Sequence, residues 1–336
     1  MGRQDLPLVG IVILNWNKGP VTLSCVQAVK EQNYPACRLY VVDNGSTDNS
    51  IEVLDSVARD FPDVIRINNS MNLGYAGGNN VGIKRALSDG ADYVWILNND
   101  ARPAAEALLR LVHRAEENDK AGMLGPVLGR PEEDGGNIEC AGVRFWLDRA
   151  AYEVTTDPII AKAWQEQTPA QIAVWGTAPL LRRDMLQKVG LFDERLFAYF
   201  EDLDLSLRVS RAGYVCETVF GAVVYHRDRE DVFGEPGIKA PYIYYYSTRN
   251  ETVVWFRHSP FFAALRRAYQ LLHKRLARIS MLKADQHAAV TEALLAGLWD
   301  GWLRRSGGYS PTRRAPWYCR KLLLKMANNI QRDVNR

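Results

Sequence analysis

Three carboxylates fall within four residues at Glu201, Asp202 and Asp204, directly ahead of an apolar pattern. Leu205, Val209 and Ala212 follow Asp202 at helical spacing, so a helix gathers them on one face with Asp202 at its inner edge. Glu201, Asp204 and Arg208 then fall on the neighbouring, wetter side. A carboxylate facing the body of a protein can act as a general base. A helix N-terminus favours its ionised form, which makes it a mild one. The same acids also arise where a first turn merely complements the helix dipole. Asp100 follows Asn98 and Asn99 and is a hard oxygen ligand of the kind that holds Mg²⁺ or Mn²⁺ together with a diphosphate. A strand-end Asp ahead of Pro103 can equally cap a helix. His226 closes the apolar run 222–225, and imidazole is a common metal ligand as well as a common surface side chain. Asp43 could accept a hydrogen bond from a base imide, or belong to an ordinary Asn-Gly-Ser turn. The stretch 72–80 carries Gly74, Gly77 and Gly78 ahead of a helix, where backbone could approach a phosphate or sugar closely. It matches neither the dinucleotide fingerprint nor the Walker loop.

These residues need elements to hold them. Leu8–Leu14, Leu39–Val42, Val64–Ile67 and Tyr93–Leu97 are short apolar runs rich in β-branched residues, as in strands buried on both faces. Helices are expected over 21–32, 50–60 and up to about residue 88. That rhythm predicts an α/β fold with an open, mainly parallel sheet. Ligands of such sheets bind beyond the carboxyl ends of the strands. Polar clusters stand at three of those ends, after residues 14, 42 and 97. Residues 130–170 are expected to be irregular or hairpin structure flanking an acceptor, and Leu180–Arg183 another strand lining the cleft, entered through Gly176 and Thr177.

The chain has 336 residues, 47% apolar and 24% charged, with a net charge of +3. That is an ordinary globular composition. Fifteen Lys and Arg face four Asp and Glu between residues 261 and 336, so an acidic body carries a basic tail. Apolar residues at helical spacing there predict two or three basic amphipathic helices, with Trp299, Trp302, Trp317 and Tyr318 placed for a lipid interface or for packing on another subunit. An anionic membrane surface is the expected partner of the tail, and nucleic acid is not, since no motif for it is present. Five scattered cysteines without a CxxC pair fit a reducing compartment and argue against a zinc site. No run reaches about 18 apolar residues, so a cytoplasmic protein is expected, peripheral on the inner face of the plasma membrane if it meets one.

The ordered series I-V-I-L-N-W-N, V-V-D-N-G-S-T-D, N-x-G-Y-A-G-G-N-N, L-N-N-D, G-L-F-D-E, F-E-D-x-D-L-x-x-R and a later Y-H resembles the family 2 inverting GT-A glycosyltransferases, especially their rhamnosyltransferase-like branch. The resemblance spans roughly residues 8–250. It implies a GT-A fold with a Rossmann-like sheet over 1–258 and a basic helical region over 259–336. It further implies that Asn15, Asn17, Asp43, Asn44, Gly74, Gly78, Asn79, Asn98 and Asn99 surround a nucleotide-sugar donor. Asp100 and His226 would hold Mn²⁺ or Mg²⁺, Asp202 would be the catalytic base, and Gly176, Thr177, Glu201 and Asp204 would line the acceptor side. Asn98 stands where the fuller Asp-x-Asp pattern has Asp, which leaves fewer carboxylates for the metal. The implied reaction moves a sugar, rhamnose from dTDP-rhamnose before a UDP-hexose, to a hydroxyl of a glycan or polyprenyl-linked saccharide in bacterial cell-surface polysaccharide synthesis. A non-catalytic carbohydrate-binding scaffold on this fold, or a sugar nucleotidyltransferase, is the competing expectation, and the chain could form a homo-oligomer.

Overall fold

The computed structural model describes residues 6–131, 135–226, 238–282 and 287–334. The first hundred residues alternate strand and helix: β1 (Val9–Asn15), α1 (Gly19–Lys30), β2 (Cys37–Asp43), α2 (Ser50–Asp60), β3 (Ile65–Asn68), α3 (Gly74–Ser88) and β4 (Tyr93–Asn98). Next come β5 (Ala101–Pro103), α4 (Ala107–Glu117), β6 (Ala121–Gly129), β7 (Ile138–Cys140), β8 (Gly142–Trp146) and β9 (Ala151–Thr155). After them run α5 (Pro158–Gln167), β10 (Ile172–Ala173), β11 (Leu180–Arg182), α6 (Arg183–Val189), α7 (Glu201–Arg211) and β12 (Val215–His226). Four helices close the chain: α8 (Pro241–His258), α9 (Phe261–Met281), α10 (Ala288–Trp302) and α11 (Trp317–Val334).

The main sheet has the order β3-β2-β1-β4-β11-β6-β12-β5, with β7 on β6. β1, β2, β3 and β4 are mutually parallel, as are β6 and β12, whereas β11 runs antiparallel between β4 and β6. Val9, Ile11, Val12 and Ile13 are fully enclosed, because this strand has helices on both faces and neighbours on both edges. Each such aliphatic side chain contributes about 1.5–3 kcal/mol by leaving water. A second small sheet, β10-β8-β9, lies where irregular or hairpin structure is expected from the sequence. α5 was not foreseen, although Asp157 caps it by accepting from the Ile159 and Ile160 amides and Pro158 opens its first turn.

Contacts divide the described chain into two compact units. One comprises 6–145, 152–194 and 201–226; the other comprises 146–151, 195–200 and the residues from 238 onward. α8, which the sequence places on the catalytic side of residue 258, thus groups with α9–α11. In this second unit Tyr245, Leu276, Leu294 and Leu295 form an apolar centre. Asp300 is fully buried there, accepting from the Tyr245 hydroxyl at 2.8 Å and from both arms of the Arg313 guanidinium at 2.6 and 2.8 Å. Glu292 is likewise buried and bound by Arg320 at 2.6 Å. No described helix is long and apolar enough to cross a membrane.

Candidate functional site

Strand register lines up the polar residues at one edge of the main sheet. Asn15 is opposite Asp43 across β1 and β2, and Leu14 is opposite Asn98 across β1 and β4. Asn15 is fully buried; its amide donates to Asp43 Oδ1 at 2.8 Å and its carbonyl accepts from the Thr22 hydroxyl at 2.7 Å. Ser46 supplies Asp43 with two more donors, its hydroxyl to Oδ1 at 2.6 Å and its amide to Oδ2 at 3.0 Å. Three donors fix the carboxylate in direction, and Oδ2 retains a lone pair for a further N–H. Asn17, in the left-handed region at φ 53°, donates its amide N–H to Ser46 Oγ at 2.9 Å and accepts from the Thr47 amide at 2.8 Å. It closes the turn beside Asp43.

Three of the expected donor residues, Asn44, Gly78 and Asn79, are enclosed by the fold. Asn44 is buried and organises the 69–74 turn, accepting from Asn69 and the Leu73 amide and donating to Asn72 Oδ1 and Gly74 O. Gly78 and Asn79 lie inside α3 and are enclosed. A Cβ at Gly78 would stand 2.5 Å from Leu14 Cδ1, so this glycine serves close helix–sheet packing. The helix begins four residues earlier than Gly78 and swallows most of the glycine stretch. Gly74, with φ 76°, remains at its N-terminus.

β4 ends in Asn98, and Asn99 and Asp100 form the turn that follows it. Asn98 donates its backbone N–H to Thr177 O at 2.9 Å, and buried Asn99 donates to the Thr22 hydroxyl at 3.1 Å. β12 pairs with β5 so that His226 stands opposite Ala101, and this register brings His226 Nε2 to 3.2 Å from Asp100 Oδ1. Two ligands about 2.1 Å from one ion and at right angles stand about 3 Å apart, so a carboxylate oxygen and an imidazole nitrogen at this separation fit a shared divalent ion. Among the described residues no third His, Cys, Asp or Glu completes a cage. A pair of protein ligands is the usual complement of Mg²⁺ or Mn²⁺ sites whose remaining positions go to phosphates and water. Glu139 of β7, unanticipated from sequence, faces the other side of the ring: its carboxylate is 3.8 Å from His226 Nδ1 and accepts from Arg130 at 2.8 Å.

Asp202, in the first turn of α7, is half-buried. Its Oδ2 accepts the Gly176 amide at 2.8 Å and its Oδ1 the Leu203 amide at 2.7 Å. A Cβ at Gly176 would meet Asp202 Oδ2 and the Tyr75 hydroxyl at 3.3 Å each, a tight fit that glycine relieves. Tyr75 also donates to Gly176 O. Burial pushes the Asp202 pKa up, and the two amides only partly oppose it. The mild base expected at a helix N-terminus is therefore a stronger one. Its neighbours reverse the sequence expectation: Glu201 and Asp204 are buried, not on the wet side. Desolvation, followed by the charge of Asp202, holds the Glu201 carboxyl well above the usual range. Asp204 is fully enclosed and bound to Arg208 at 2.8 Å, and Arg208 also donates to the carbonyls of Val189 and Leu191. That pair ties a loop to α7 and has no access to an acceptor. α7 is packed on almost every side, so no apolar stripe marks which acid turns inward.

Contacts link the two halves of the site. Thr177, bonded to Asn98, adjoins Gly176, which is bonded to Asp202. On the other flank, the Cys140 thiol is pushed up to about 12 by burial, with Asp202 and Glu139 both adding to the shift. The sequence profile of glycosyl transferase family 2 matches residues 10–190. The chain belongs to that family. This glycosyltransferase is 26% identical over 245 residues to an N-acetylglucosaminyl-diphospho-decaprenol L-rhamnosyltransferase of Mycobacterium tuberculosis, covering 67% of this chain and 78% of the relative. It is 27% identical over 229 residues to the galactofuranosyltransferase GlfT1 of Mycolicibacterium smegmatis, covering 67% and 73%. A mannosyltransferase from Pyrobaculum calidifontis, solved with GDP-Man and Mn²⁺, superposes over 97% of this chain and 87% of its own at a TM-score of 0.54 and 16% identity. That likeness establishes the GT-A fold of the glycosyltransferase, and its curled, mostly parallel sheet with C-terminal helices follows the sequence expectation.

Proposed function

We propose that this family 2 glycosyltransferase moves a hexose from a nucleotide diphosphate to a hydroxyl of a glycan or polyprenyl-linked saccharide, with inversion, during bacterial cell-surface polysaccharide synthesis. Rhamnose from dTDP-rhamnose is the first candidate and a UDP-hexose the second. The observation that carries the reading is the run of contacts from Asn98, two residues before the Asp100 of the Asp100–His226 pair, through Thr177 and Gly176 to the half-buried carboxylate of Asp202. The likeness to the mycobacterial rhamnosyltransferase, named for a decaprenol-linked sugar, supports the choice of sugar and acceptor.

In this reading Asp43, fixed by Asn15 and Ser46, receives the base of the donor, with Asn17, Gly74, Asn98 and Asn99 around it. Asp100 and His226 would hold Mn²⁺ or Mg²⁺, which when bound neutralises charge on the departing diphosphate. Asp202 takes the proton of the acceptor hydroxyl as its oxygen bonds to the anomeric carbon. The bond from that carbon to the diphosphate oxygen breaks on the opposite face, and its electron pair leaves with the nucleotide. One displacement inverts the centre with no covalent enzyme intermediate. Gly176 and Thr177 border the acceptor side. Because burial raises the Asp202 pKa, the acid limb of turnover lies above the ordinary carboxylate value of about 3.9: protonation below the raised pKa removes the base.

The C-terminal helices supply a second contact. Among the described side chains of α9–α11 the acids Glu292 and Asp300 are buried and bound by arginines, so the charge presented outward is basic. Phe261, Phe262, Trp302, Leu303, Trp317 and Tyr318 are exposed beside it. Together they suit an anionic membrane surface on the cytoplasmic side, where a polyprenyl acceptor would lie.

The test is a melting-temperature panel of dTDP, UDP and their sugars with and without Mn²⁺, paired with turnover of Asp202→Asn. A metal-dependent rise with one nucleotide series is expected. Asp202→Asn should lose roughly 10²–10⁴-fold in turnover while keeping that rise. No shift with any nucleotide and metal, or near-normal turnover of Asp202→Asn, overturns the reading in favour of a scaffold or of another base.

A further inference from the structure

The two residues Gly176 and Thr177 are held from three different elements. Asn98, at the end of β4, donates its backbone N–H to Thr177 O at 2.9 Å. Tyr75, in the first turn of α3, donates its hydroxyl to Gly176 O. The Gly176 amide donates in turn to Asp202 Oδ2 at 2.8 Å. A Cβ on Gly176 would stand 3.3 Å from the Tyr75 hydroxyl and 3.3 Å from Asp202 Oδ2, so both side chains converge on the same side of this one residue. Tyr75 is half-buried, and its ring stands edge-on to Phe192 with centres 6.0 Å apart and planes at 62°. All of these residues belong to one compact unit. Asp202 Oδ1 accepts the Leu203 amide, which is part of the same helix and moves with it. Among the described residues, Gly176 is thus the one donor to this carboxylate from outside α7.

We propose that the Tyr75 hydroxyl is a positioning group for the base: it holds the Gly176 carbonyl, which sets where the Gly176 N–H points, and that N–H sets the direction of the Asp202 carboxylate. Tyr75 acts through Gly176 and not on the substrate. The inference rests on Asp202 being the base. A phenylalanine at this position would fill the same space and leave Gly176 O without its donor, so the hydroxyl and not the ring carries the effect. Tyr75 directly follows Gly74, which the proposed function puts beside the donor. One helical turn then serves both the donor and the base.

Tyr75→Phe keeps the ring against Phe192 and removes only the hydroxyl. Two readouts are taken on the full chain. One is hydrogen exchange of the Gly176 amide. The other is the pH dependence of dTDP release from dTDP-rhamnose, or of UDP release from a UDP-hexose, with Mn²⁺ and with water as acceptor. Nucleotide affinity is measured alongside by calorimetry. In Tyr75→Phe the Gly176 amide should exchange at least about tenfold faster while the amides of β1 are unchanged. Turnover on the alkaline plateau should fall at least about fivefold, with nucleotide affinity held within about twofold. The acid limb should move up by at least about half a pH unit, because the Gly176 N–H favours the ionised carboxylate and loosening it favours the protonated form. The ionisable groups around Asp202 are Glu201 of its own helix and Cys140 of β7, with Asp204 and Glu139 acting on that pair from behind. All four are the same in parent and variant, so the difference between the two limbs reports the amide. Tyr34→Phe is the control for losing a tyrosine–carbonyl bond as such. Tyr34 donates to Pro7 O at 2.6 Å, ahead of β1, and its variant should keep the parent's limb and plateau. An unmoved limb, Gly176 exchange within about twofold of the parent, or a parallel loss of affinity and turnover overturns the role of Tyr75. If release with water is too slow to measure, the exchange criterion decides alone. Asp202→Asn separates the two readings. If it keeps turnover, the base assignment fails, whereas a dead Asp202→Asn beside a Tyr75→Phe with the parent's limb sinks only the role of Tyr75.

Discussion

Glu201 and Asp202 are adjacent acids with different surroundings, and the difference is measurable. Glu201 has no water to solvate its charge and a carboxylate next to it, so the folded protein holds its proton to higher pH than the unfolded chain does. Between those two pKa values the native state binds one more proton than the unfolded state, so stability falls as pH rises through that window, by about 1.4 kcal/mol per pH unit. Glu201→Gln abolishes this titration. Its melting temperature should match the parent near pH 4 and exceed it at pH 8; a variant that is less stable at both would show that the carboxyl is needed in its own right. Sequence could name Asp202, because a run of motifs surrounds it, but could not tell which of three acids points outward. Helical spacing distinguishes sides only when one side is polar, and α7 is enclosed. Glu139 carried no mark at all: it meets His226 only through the pairing of β7 with β6 and of β12 with its neighbours.

Among the elements, β1 to β4 and α2 were legible almost to the residue, since buried parallel strands are continuous apolar runs bounded by polar ends. α3 was harder. Its glycines suggested a loop, yet they are small so that the helix can lie directly on the sheet. A Cβ at Gly82 would collide with Val12 and come within 3.1 Å of Val42, both stiff β-branched side chains. Gly82→Ala should therefore destabilise the protein by about 1–2 kcal/mol, the overpacking outweighing the roughly 1 kcal/mol that alanine gains in helix propensity. Thermal unfolding checks the sign, and a stabilised variant would show that α3 has room to move off β1. The small β10-β8-β9 sheet and α5 were illegible for another reason. The strands are short, and Asp157-Pro158, a cap followed by a first-turn proline, is the one clear mark of α5.

For the whole molecule, the surplus of basic residues after Phe261 was plain from composition, while the burial of Glu292 and Asp300 was not. Folding hides Glu292 and Asp300, two of the four acids of this region, and so sharpens its outward charge. The protein should co-sediment with vesicles containing phosphatidylglycerol and not with pure phosphatidylcholine, and salt should weaken the binding. Replacing Phe262 and Trp317 together by Ser should reduce it at least about tenfold, since two buried methylene equivalents at roughly 0.8 kcal/mol each already suffice for that. Equal binding to neutral vesicles, or none to either, would remove the membrane from the account.

β12 lies between β6 and β5, so β5 has no strand beside it until β12 is made. Asp100 and His226 are 126 positions apart in the chain. At roughly 5–20 residues per second of synthesis, about 6–25 s separate their emergence from the ribosome. The parallel strands that carry Asn15 and Asp43 are complete long before then. A growing chain thus completes the Asn15–Asp43 edge first and brings His226 to Asp100 last, so under the proposed reading a half-made protein has its place for a nucleotide base before its place for a divalent ion.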